Sequence, residues 1–145
     1  MVSNFESYEA GSTSNQCVCK GLSIAAYFSP RSHPELWDKI TASFPATQMI
    51  IYDRDDQSGA DPIYKSRICQ MKQIGIRVFG YVNSGFGAID PANIKENIDN
   101  HRAFYNVTDI MFDNARTITA NIPYYKELAD YVHGPLTPTN RVCQL

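Results

Sequence analysis

Four short apolar runs, each followed by a segment with helical character, constrain this chain of 145 residues more than any other feature. The runs begin near Leu22, Gln48, Ile76 and Val107, so successive starts lie 26, 28 and 31 residues apart. Continuous apolar runs of this length are typical of buried strands. Strands that are separated by helices cannot pair as hairpins and are parallel, joined by right-handed crossovers. The sequence therefore predicts an α/β fold of four consecutive β/α units.

The segments between the runs carry helix start and stop signals. Asp61-Pro62 and Asp90-Pro91 each combine a carboxylate that can cap free amides with a proline that needs no amide partner. Gly75 and Gly134 stand where a helix end favours glycine. Apolar residues recur at helical spacing inside these limits. We predict helices over residues 34–44 and 123–133, a helix that begins at Pro62 and ends at Gly75, and a helix that begins at Pro91 with Ile94, Ile98 and Tyr105 in its apolar stripe.

The spacing of the units points to one large architecture. An eight-unit barrel of ~250 residues averages about 31 residues per unit, so four parallel units correspond to half of a (β/α)₈ TIM-type barrel. An open doubly wound sheet, with helices on both faces, is the other solution, and periodicity does not separate the two. We expect residues 1–20 to form a flexible tail, 21–134 to form the partial barrel domain, and 135–145 to form an irregular tail.

Charge and hydropathy exclude several classes of partner. The formal net charge is −2 and the isoelectric point is about 5.9. Since no basic stripe is visible, neither a nucleic-acid nor an anionic-membrane partner is expected. The longest apolar runs are strand-sized, far below the ~20 residues that span a bilayer. The N-terminal segment lacks the basic and apolar regions of a secretory signal.

The cysteines give no clear metal pattern. Cys17 and Cys19 form a C-x-C pair, and Cys69 and Cys143 stand alone. Zinc sites favour C-x-x-C pairs or histidines at matching spacing, which this sequence lacks. Free or incidental cysteines are therefore favoured over a disulfide, and a metal site is least favoured. The glycosylation sequon at 106–108 matters only if the chain is secreted.

All four apolar runs turn polar at their carboxyl ends, where α/β proteins place their working groups. These ends are Ser29-Pro30, Asp53-Arg54, Asn83-Ser84 and Asp113-Asn114. The structural alternative is simple, because every strand must leave the core through a polar loop. The four polar strand ends are therefore a candidate site, and ordinary polar loops are the alternative interpretation.

Asp113 is the sharpest candidate in this set. It directly follows the apolar residues 110–112, and a partly desolvated carboxylate at that position is suited to proton transfer. Its alternative role is to cap the next loop. The acids of loop 53–56, with Arg54 among them, are typical of a solvated, self-paired turn. Together with Asp113 they are also candidate Mg²⁺ ligands of a phosphoryl-transfer α/β domain, although no P-loop is present.

Two aromatic residues are candidates for ligand contact. Tyr81 follows Gly80 within an otherwise apolar strand, which favours a core position over stacking on a sugar ring. Phe86 lies in a glycine-flanked loop and is the better candidate for contact with a ligand.

Several segments together resemble the spherulin-4, or spherulation-specific family 4, proteins. They are Trp37-Asp38, MIIYDRDDQSGAD (49–61), GIRVFGYVNSGFG (75–87) and TDIMFDNA (108–115). The likeness covers about residues 22–133, and Gly80–Gly87 is its most specific part. The resemblance implies a TIM-barrel glycoside hydrolase scaffold related to endo-α-1,4-galactosaminidases. It also implies a galactosamine-containing polysaccharide such as galactosaminogalactan, no cofactor, and a secreted or cell-surface location.

The resemblance also implies which residues carry the chemistry. An aspartate–glutamate pair at the end of the fourth strand is expected to supply catalytic carboxylates. Asp113 matches the aspartate, whereas Asn114 stands where the glutamate is expected. An amide cannot exchange a proton near neutral pH, and most glycosidases need two carboxyl groups. The predicted substrate contacts are Asp53, Tyr81, Asn83 and Phe86, with Asp53-Arg54 replacing an Asn-Pro turn of the family.

These observations predict a truncated glycoside hydrolase-type domain that is weakly active or inactive. A non-catalytic carbohydrate-binding or regulatory relic is the alternative. The family continues into further strands, whereas this chain continues as PLTPTNRVCQL. Four parallel strands alone leave two sheet edges and one apolar face open, so self-association through the open edges is expected.

Overall fold

The structure, a computed structural model, describes residues 21–54 and 59–134. The predicted tails at 1–20 and 135–145, and residues 55–58 of the acidic loop, lie outside the described residues. The elements in order are β1 (Leu22–Ala26), α1 (Pro34–Ala42), β2 (Thr47–Tyr52), α2 (Pro62–Ile74), β3 (Arg77–Asn83), α3 (Pro91–Tyr105), β4 (Asp109–Asp113) and α4 (Ile122–His133). The four predicted strands and four predicted helices are confirmed, with ends that differ by a few residues at most.

The strand order decides between the two architectures. The described strands form one sheet in the order β1-β2-β3-β4, and every neighbouring pair is parallel. A doubly wound sheet reverses its strand order at a switch point, and no reversal occurs here. Right-handed crossovers between sequential strands place all the helices on one face of the sheet. The half barrel of consecutive β/α units is confirmed, and the doubly wound alternative is wrong.

The core lies between the sheet and its layer of helices. Side chains alternate along each strand, and one set, including Ile50, Tyr52, Val78 and Val82, is buried against the helices. One apolar cluster joins β1, β2 and β3 to the first three helices and includes the fully buried Trp37. A second cluster joins β3 and β4 to α3 and α4. The stable part of the molecule is therefore this single-sided layer.

The other set of strand side chains points away from the helices, to what we call the open face. Its described members are Ser23, Ala25, Tyr27, Met49, Ile51, Asp53, Arg77, Phe79, Tyr81, Asn83, Asp109, Met111 and Asp113. None of them belongs to either apolar cluster. In a closed (β/α)₈ barrel this is the face that fills the interior in layers of side chains.

The predicted helix starts are confirmed in atomic detail. The Asp61 carboxylate accepts from the amide of Ile63 at 2.8 Å, and the Asp90 carboxylate accepts from the amide of Ala92 at 2.8 Å. A proline follows each cap, where the missing N–H costs nothing. No helix in the described part of the chain is long and apolar enough to cross a membrane.

Cys69 corrects the interpretation of the cysteines as free. It is buried on α2 and is disulfide-bonded, with a partner outside the described residues. The prediction of free cysteines is therefore wrong for Cys69. Disulfides persist in oxidising compartments, such as the extracellular space, and are rare in the cytosol.

A buried histidine connects the sheet to α3. The His101 Nε2 atom lies 3.0 Å from the Tyr81 carbonyl oxygen, and Nδ1 lies 2.7 Å from the Tyr52 hydroxyl. Because a carbonyl oxygen only accepts, Nε2 carries the proton and Nδ1 accepts from Tyr52. Burial lowers the pKa of His101, and the hydrogen bond to Tyr81 raises it to a smaller extent. The imidazole is therefore neutral in the folded protein.

Gly80 is required by this histidine, because a Cβ atom there would lie 2.7 Å from the His101 ring. We expect Gly80→Ala to lower the free energy of unfolding by about 1–3 kcal/mol, as overpacked core positions do. Urea denaturation measures this. In a His101→Ala background the added cost of Gly80→Ala should shrink, since the clashing ring is gone. Equal costs in both backgrounds would contradict the clash.

The stability should also depend on pH through His101. The unfolded chain binds a proton at this side chain near pH ~6.5, whereas the folded chain resists it. The unfolded state therefore binds more protons, and the contribution is present above about pH 6.5 and lost as the pH falls below it.

The expected slope approaches about 1.4 kcal/mol per pH unit below that value. Urea denaturation from pH 7.5 to pH ~5 measures it. His101→Gln should flatten the slope, whereas His133→Gln, at an exposed position, should leave it unchanged. An unchanged slope in His101→Gln would assign the pH dependence to other groups.

Candidate functional site

The polar residues at the carboxyl ends of the strands come together at one edge of the open face. Asn83 and Asp113 are register partners at the ends of β3 and β4. Tyr52 is the partner of Gly80, so the next residues along, Asp53 and Tyr81, lie side by side at the same level. Four of the six predicted site residues are thus neighbours.

The contact at the centre of this edge joins Tyr81 to Asp113. The Tyr81 hydroxyl donates to Oδ2 of Asp113 at 2.9 Å. Burial, the hydrogen bond to Asp113 and the nearby negative charges of Asp113 and Asp53 raise the pKa of Tyr81 to about 12. The phenol therefore stays protonated at ordinary pH and holds one oxygen of the carboxylate in place.

This contact corrects the preference for Tyr81 as a core residue. The buried positions of β3 are Val78, Gly80 and Val82, and Tyr81 belongs to the alternate set on the open face. Its assignment as a substrate contact, made from the family resemblance, remains a proposal. The residues of β3 do not alternate between apolar and polar, so the sequence does not indicate which face of the sheet each side chain occupies.

Tyr27 is a member of this edge that the sequence analysis missed. Its ring packs edge-on against Tyr81, with centroids 5.2 Å apart, and 49% of the residue is exposed. Burial of the hydroxyl, and then the charges of Asp113 and Asp53, raise the pKa of Tyr27. Tyr27 directly follows β1 and lies two residues after Ala25, so the alternation of side chains along a strand places both residues on the same face. The sequence predicted one strand over residues 22–28 that is buried on both faces, so no exposed position was assigned within it.

Asp53 and Arg54 separate at the end of β2. Asp53 lies close enough to Tyr27 and Tyr81 to affect the pKa of both. Arg54 turns instead toward the helices, where its Nη1 donates to the Tyr105 hydroxyl at 2.6 Å and to the Gly59 carbonyl oxygen. The remaining acids of this loop, Asp55 and Asp56, lie outside the described residues, so the self-paired turn stays a prediction. Asp53 faces the site, whereas these two contacts of Arg54 lie on the helix side of the sheet.

Two amides occupy the position beside Asp113. Nδ2 of Asn114 donates to Oδ1 of Asn83 at 3.1 Å, and Oδ1 of Asn83 also accepts from the Gly85 amide at 2.8 Å. Asn114 has a φ of 51°, in the left-handed region that asparagine tolerates better than most residues. The side chain that replaces the expected glutamate thus binds a neighbouring amide on the rim.

Ser84 fixes the ends of β3 and β4 to each other. It is fully buried, its amide and its Oγ donate to the Asp113 carbonyl oxygen at 3.0 and 2.8 Å, and Oγ lies 3.0 Å from the Asn114 carbonyl oxygen. Oγ also lies 3.1 Å from the Tyr125 hydroxyl on α4. From the sequence, Ser84 was predicted only to be a polar residue at the end of its strand.

Phe86 projects from a loop held in an unusual conformation. Gly85, Phe86 and Gly87 all have positive φ angles, of 54°, 58° and 81°. The Phe86 amide donates to the Asn114 carbonyl oxygen at 2.7 Å, and its carbonyl oxygen accepts from Nδ2 of Asn121 at 3.1 Å. The residue is 57% exposed. A strained backbone that holds an exposed aromatic ring in place is typical of ligand-binding loops.

Comparison with known proteins decides the family. The model of spherulation-specific family 4 matches residues 22–143. The chain belongs to this family. No curated protein matches the chain. Among solved structures, the fold is similar to the crystal structure of Aspergillus clavatus Sph3 in complex with GalNAc, with a TM-score of 0.63 and 18% sequence identity. The match covers 79% of this chain and 53% of that one, so this spherulin-4 chain spans about half the length of Sph3.

The magnesium alternative finds no further support. Within 21–54 and 59–134, no group of three histidine, cysteine, aspartate or glutamate side chains is placed to hold a metal ion. Asp55 and Asp56 lie outside these ranges. The metal site therefore stays a prediction for the acidic loop of this spherulin-4 domain, and no observation favours it.

Removing the Ser84 hydroxyl should loosen the site of this spherulin-4 domain. We expect Ser84→Ala to lower the free energy of unfolding by about 0.5–1.5 kcal/mol, because the hydroxyl hydrogen bonds are lost while each carbonyl oxygen keeps a backbone amide donor. Chemical denaturation measures the change. The control is Ser66→Ala, at an exposed position on α2, which should be close to neutral. Equal changes in the free energy of unfolding for the two variants would show that the Ser84 hydroxyl does not stabilise the contact between the ends of β3 and β4.

Proposed function

We propose that this chain is a glycoside hydrolase-type domain that binds galactosamine-containing polysaccharide at the carboxyl edge of the open face, with weak or no hydrolysis. The observation that carries the proposal is the Tyr81–Asp113 hydrogen bond, flanked by Tyr27 and by the exposed Phe86. A fixed carboxylate accepts hydrogen bonds from sugar hydroxyl groups, and aromatic rings pack against the apolar faces of a sugar. The GalNAc complex of Sph3 supports an amino sugar as the ligand class.

The chemistry of the rim supports weak hydrolysis. Glycosidases typically use one carboxyl group to protonate the leaving oxygen and a second as base or nucleophile. Asp113 would supply the first, and the amide of Asn114 cannot supply the second. Asp53 is the other acid close to Tyr27 and Tyr81, so it is the residue that would carry any remaining activity in a single chain.

A non-catalytic binding domain is the second candidate, and one observation favours it. The Asn114 amide is bound to Asn83, and its left-handed backbone suits asparagine. This amide pair preserves an ordered polar rim without proton transfer. The two candidates differ in product release alone, because both predict that the polymer binds.

Binding should depend on Phe86. We expect Phe86→Ala to weaken the affinity for galactosamine oligosaccharides roughly tenfold, the loss of about 1.4 kcal/mol of stacking free energy. Isothermal titration calorimetry measures it. The matched control is Phe44→Ala, since Phe44 is also exposed but precedes β2 at the opposite end of the sheet. Equal losses in both variants would argue against stacking on Phe86.

Hydrolysis separates the two candidates. We expect slow release of reducing ends from galactosaminogalactan, abolished in Asp113→Asn and strongly reduced in Asp53→Asn. Asn114→Asp should raise the rate, because it adds a carboxyl group while keeping a residue type that tolerates the left-handed backbone. Glutamate would be strained there by about 1–2 kcal/mol.

Binding without release by any of these variants would leave the binding domain as the function. Release that survives Asp113→Asn would remove Asp113 from the mechanism. If the wild-type chain neither binds nor cleaves the polymer, the proposed function fails altogether.

A further inference from the structure

We propose that the segment leading into α4 holds the Phe86 ring in position for the ligand, and that Asn121 is the positioning residue. The inference rests on the proposed function, because it names the group that fixes one of the aromatic rings of that site. Asn121 contacts the backbone of residues 84–89, which we call the Phe86 loop. It therefore acts on the ligand through the position of the ring.

The Phe86 loop has a conformation that needs support from outside. Phe86 has a φ of 58° and a ψ of 27°, in the left-handed region that phenylalanine rarely adopts. Strained backbone of this kind persists only where the surrounding contacts over-determine it. The residue is 57% exposed, so packing of its ring supplies little of that support. The support must come from contacts to the backbone of the loop.

Asn121 supplies the contact at the middle of the loop. Its Nδ2 atom donates to the Phe86 carbonyl oxygen at 3.1 Å, across 35 residues of sequence. Gly87 permits this approach, because a Cβ atom there would collide with Nδ2 of Asn121. The Phe86 amide donates to the Asn114 carbonyl oxygen at 2.7 Å. Both polar groups of the Phe86 backbone are thus bound, one to the residue after β4 and one to the residue before α4.

The side chain of Asn121 is used for the loop and not for its own helix. Asn121 is the N-cap residue of α4, yet its side chain makes no capping hydrogen bond. Asparagine is among the preferred N-cap residues, because its side-chain oxygen accepts from the free amides of the first turn. Asp61 and Asp90 cap α2 and α3 in this way. The different use of the N-cap side chain at α4 is what a positioning role for Asn121 predicts.

Two tyrosines in the first turn of α4 bind the ends of the same loop. The Tyr124 hydroxyl donates to the Ile89 carbonyl oxygen at 2.9 Å. The Tyr125 hydroxyl accepts from the Arg116 amide at 2.8 Å, so its own proton is available to Oγ of Ser84, 3.1 Å away. The start of α4 therefore holds the Phe86 loop at its beginning, its middle and its end.

A ring that is held before the ligand arrives loses less conformational entropy on binding. Ordering a mobile side chain or loop during association lowers the affinity, and fixing it beforehand avoids that loss. The contacts at Ser84 and Ile89 hold the two ends of the loop, whereas the Asn121 contact holds Phe86 itself. Loss of the Asn121 contact should therefore free the ring and weaken binding.

Asn121→Asp tests the proposal, because it removes one hydrogen-bond donor and keeps the size of the side chain. A carboxylate accepts hydrogen bonds but does not donate them, so the bond to the Phe86 carbonyl oxygen is lost. The stability of α4 should persist, since aspartate is an equally good N-cap and its negative charge suits a helix N-terminus. We expect the affinity for galactosamine oligosaccharides to fall roughly two- to tenfold, the cost of ordering one side chain. Isothermal titration calorimetry measures it.

The matched control is Asn93→Asp, the same chemical change at an exposed position in the first turn of α3, which should leave the affinity unchanged. A double-mutant cycle with Phe86→Ala then shows whether Asn121 acts through the ring. In the Phe86→Ala background, Asn121→Asp should change the affinity by less than about twofold, because no ring is left to position. An additive loss in that background, or an equal loss in Asn93→Asp, would overturn the proposal.

Amide hydrogen exchange tests the positioning role without a ligand. The amides of Phe86 and Gly87, which donate to the carbonyl oxygens of Asn114 and Ser84, should exchange about threefold faster or more in Asn121→Asp, whereas the amide of the buried Ile98 should not change. Faster exchange in a chain that binds no glycan would refute the proposed function and leave the positioning role standing. Unchanged affinity of Asn121→Asp, in a chain that does bind the glycan, would refute the positioning role and leave the function standing.

Discussion

One-sided winding of a parallel sheet is the constraint on which the rest of this structure depends. Every crossover runs in the same direction, so each strand presents one set of side chains to the helices and the other to the open face. The first set forms the core around Trp37 and Tyr52. The second set is left to form the site at one end.

The positions of the side chains in the candidate site follow from the same parallel pairing of the strands. Parallel register brings Asn83 beside Asp113, and the alternation of side chains puts Tyr81 on the same face as that carboxylate. Ser84 then binds the two strand ends from the core side. The placement of these polar side chains is thus set by the pairing of the strands. Beside Asp113, Asn114 presents an amide that donates to the Asn83 side chain.

Local signals were sufficient to predict the elements and their order. Asp61 and Asp90 act as the expected caps, because capping depends only on residues within one turn. The site was predicted less completely. Asp53, Asn83 and Asp113 lie close together because the carboxyl ends of parallel strands meet at one edge of the sheet. Tyr27 and the orientation of Tyr81 were missed, because a continuous apolar run does not indicate which residues point to which face. The disulfide at Cys69 was missed as well, because a pairing between distant residues leaves no mark at short range.

The sequence by itself determined the secondary structure, the parallel direction of the strands and the set of polar residues at their carboxyl ends. These depend on local propensity and on the geometry of a β/α connection. Only the tertiary structure decided that the sheet is wound on one side, that Arg54 donates to Tyr105 on the helix side, and that the Tyr81 hydroxyl holds Asp113. Each of these depends on contacts between residues that are far apart in the chain, and their relative positions exist only once the strands have paired.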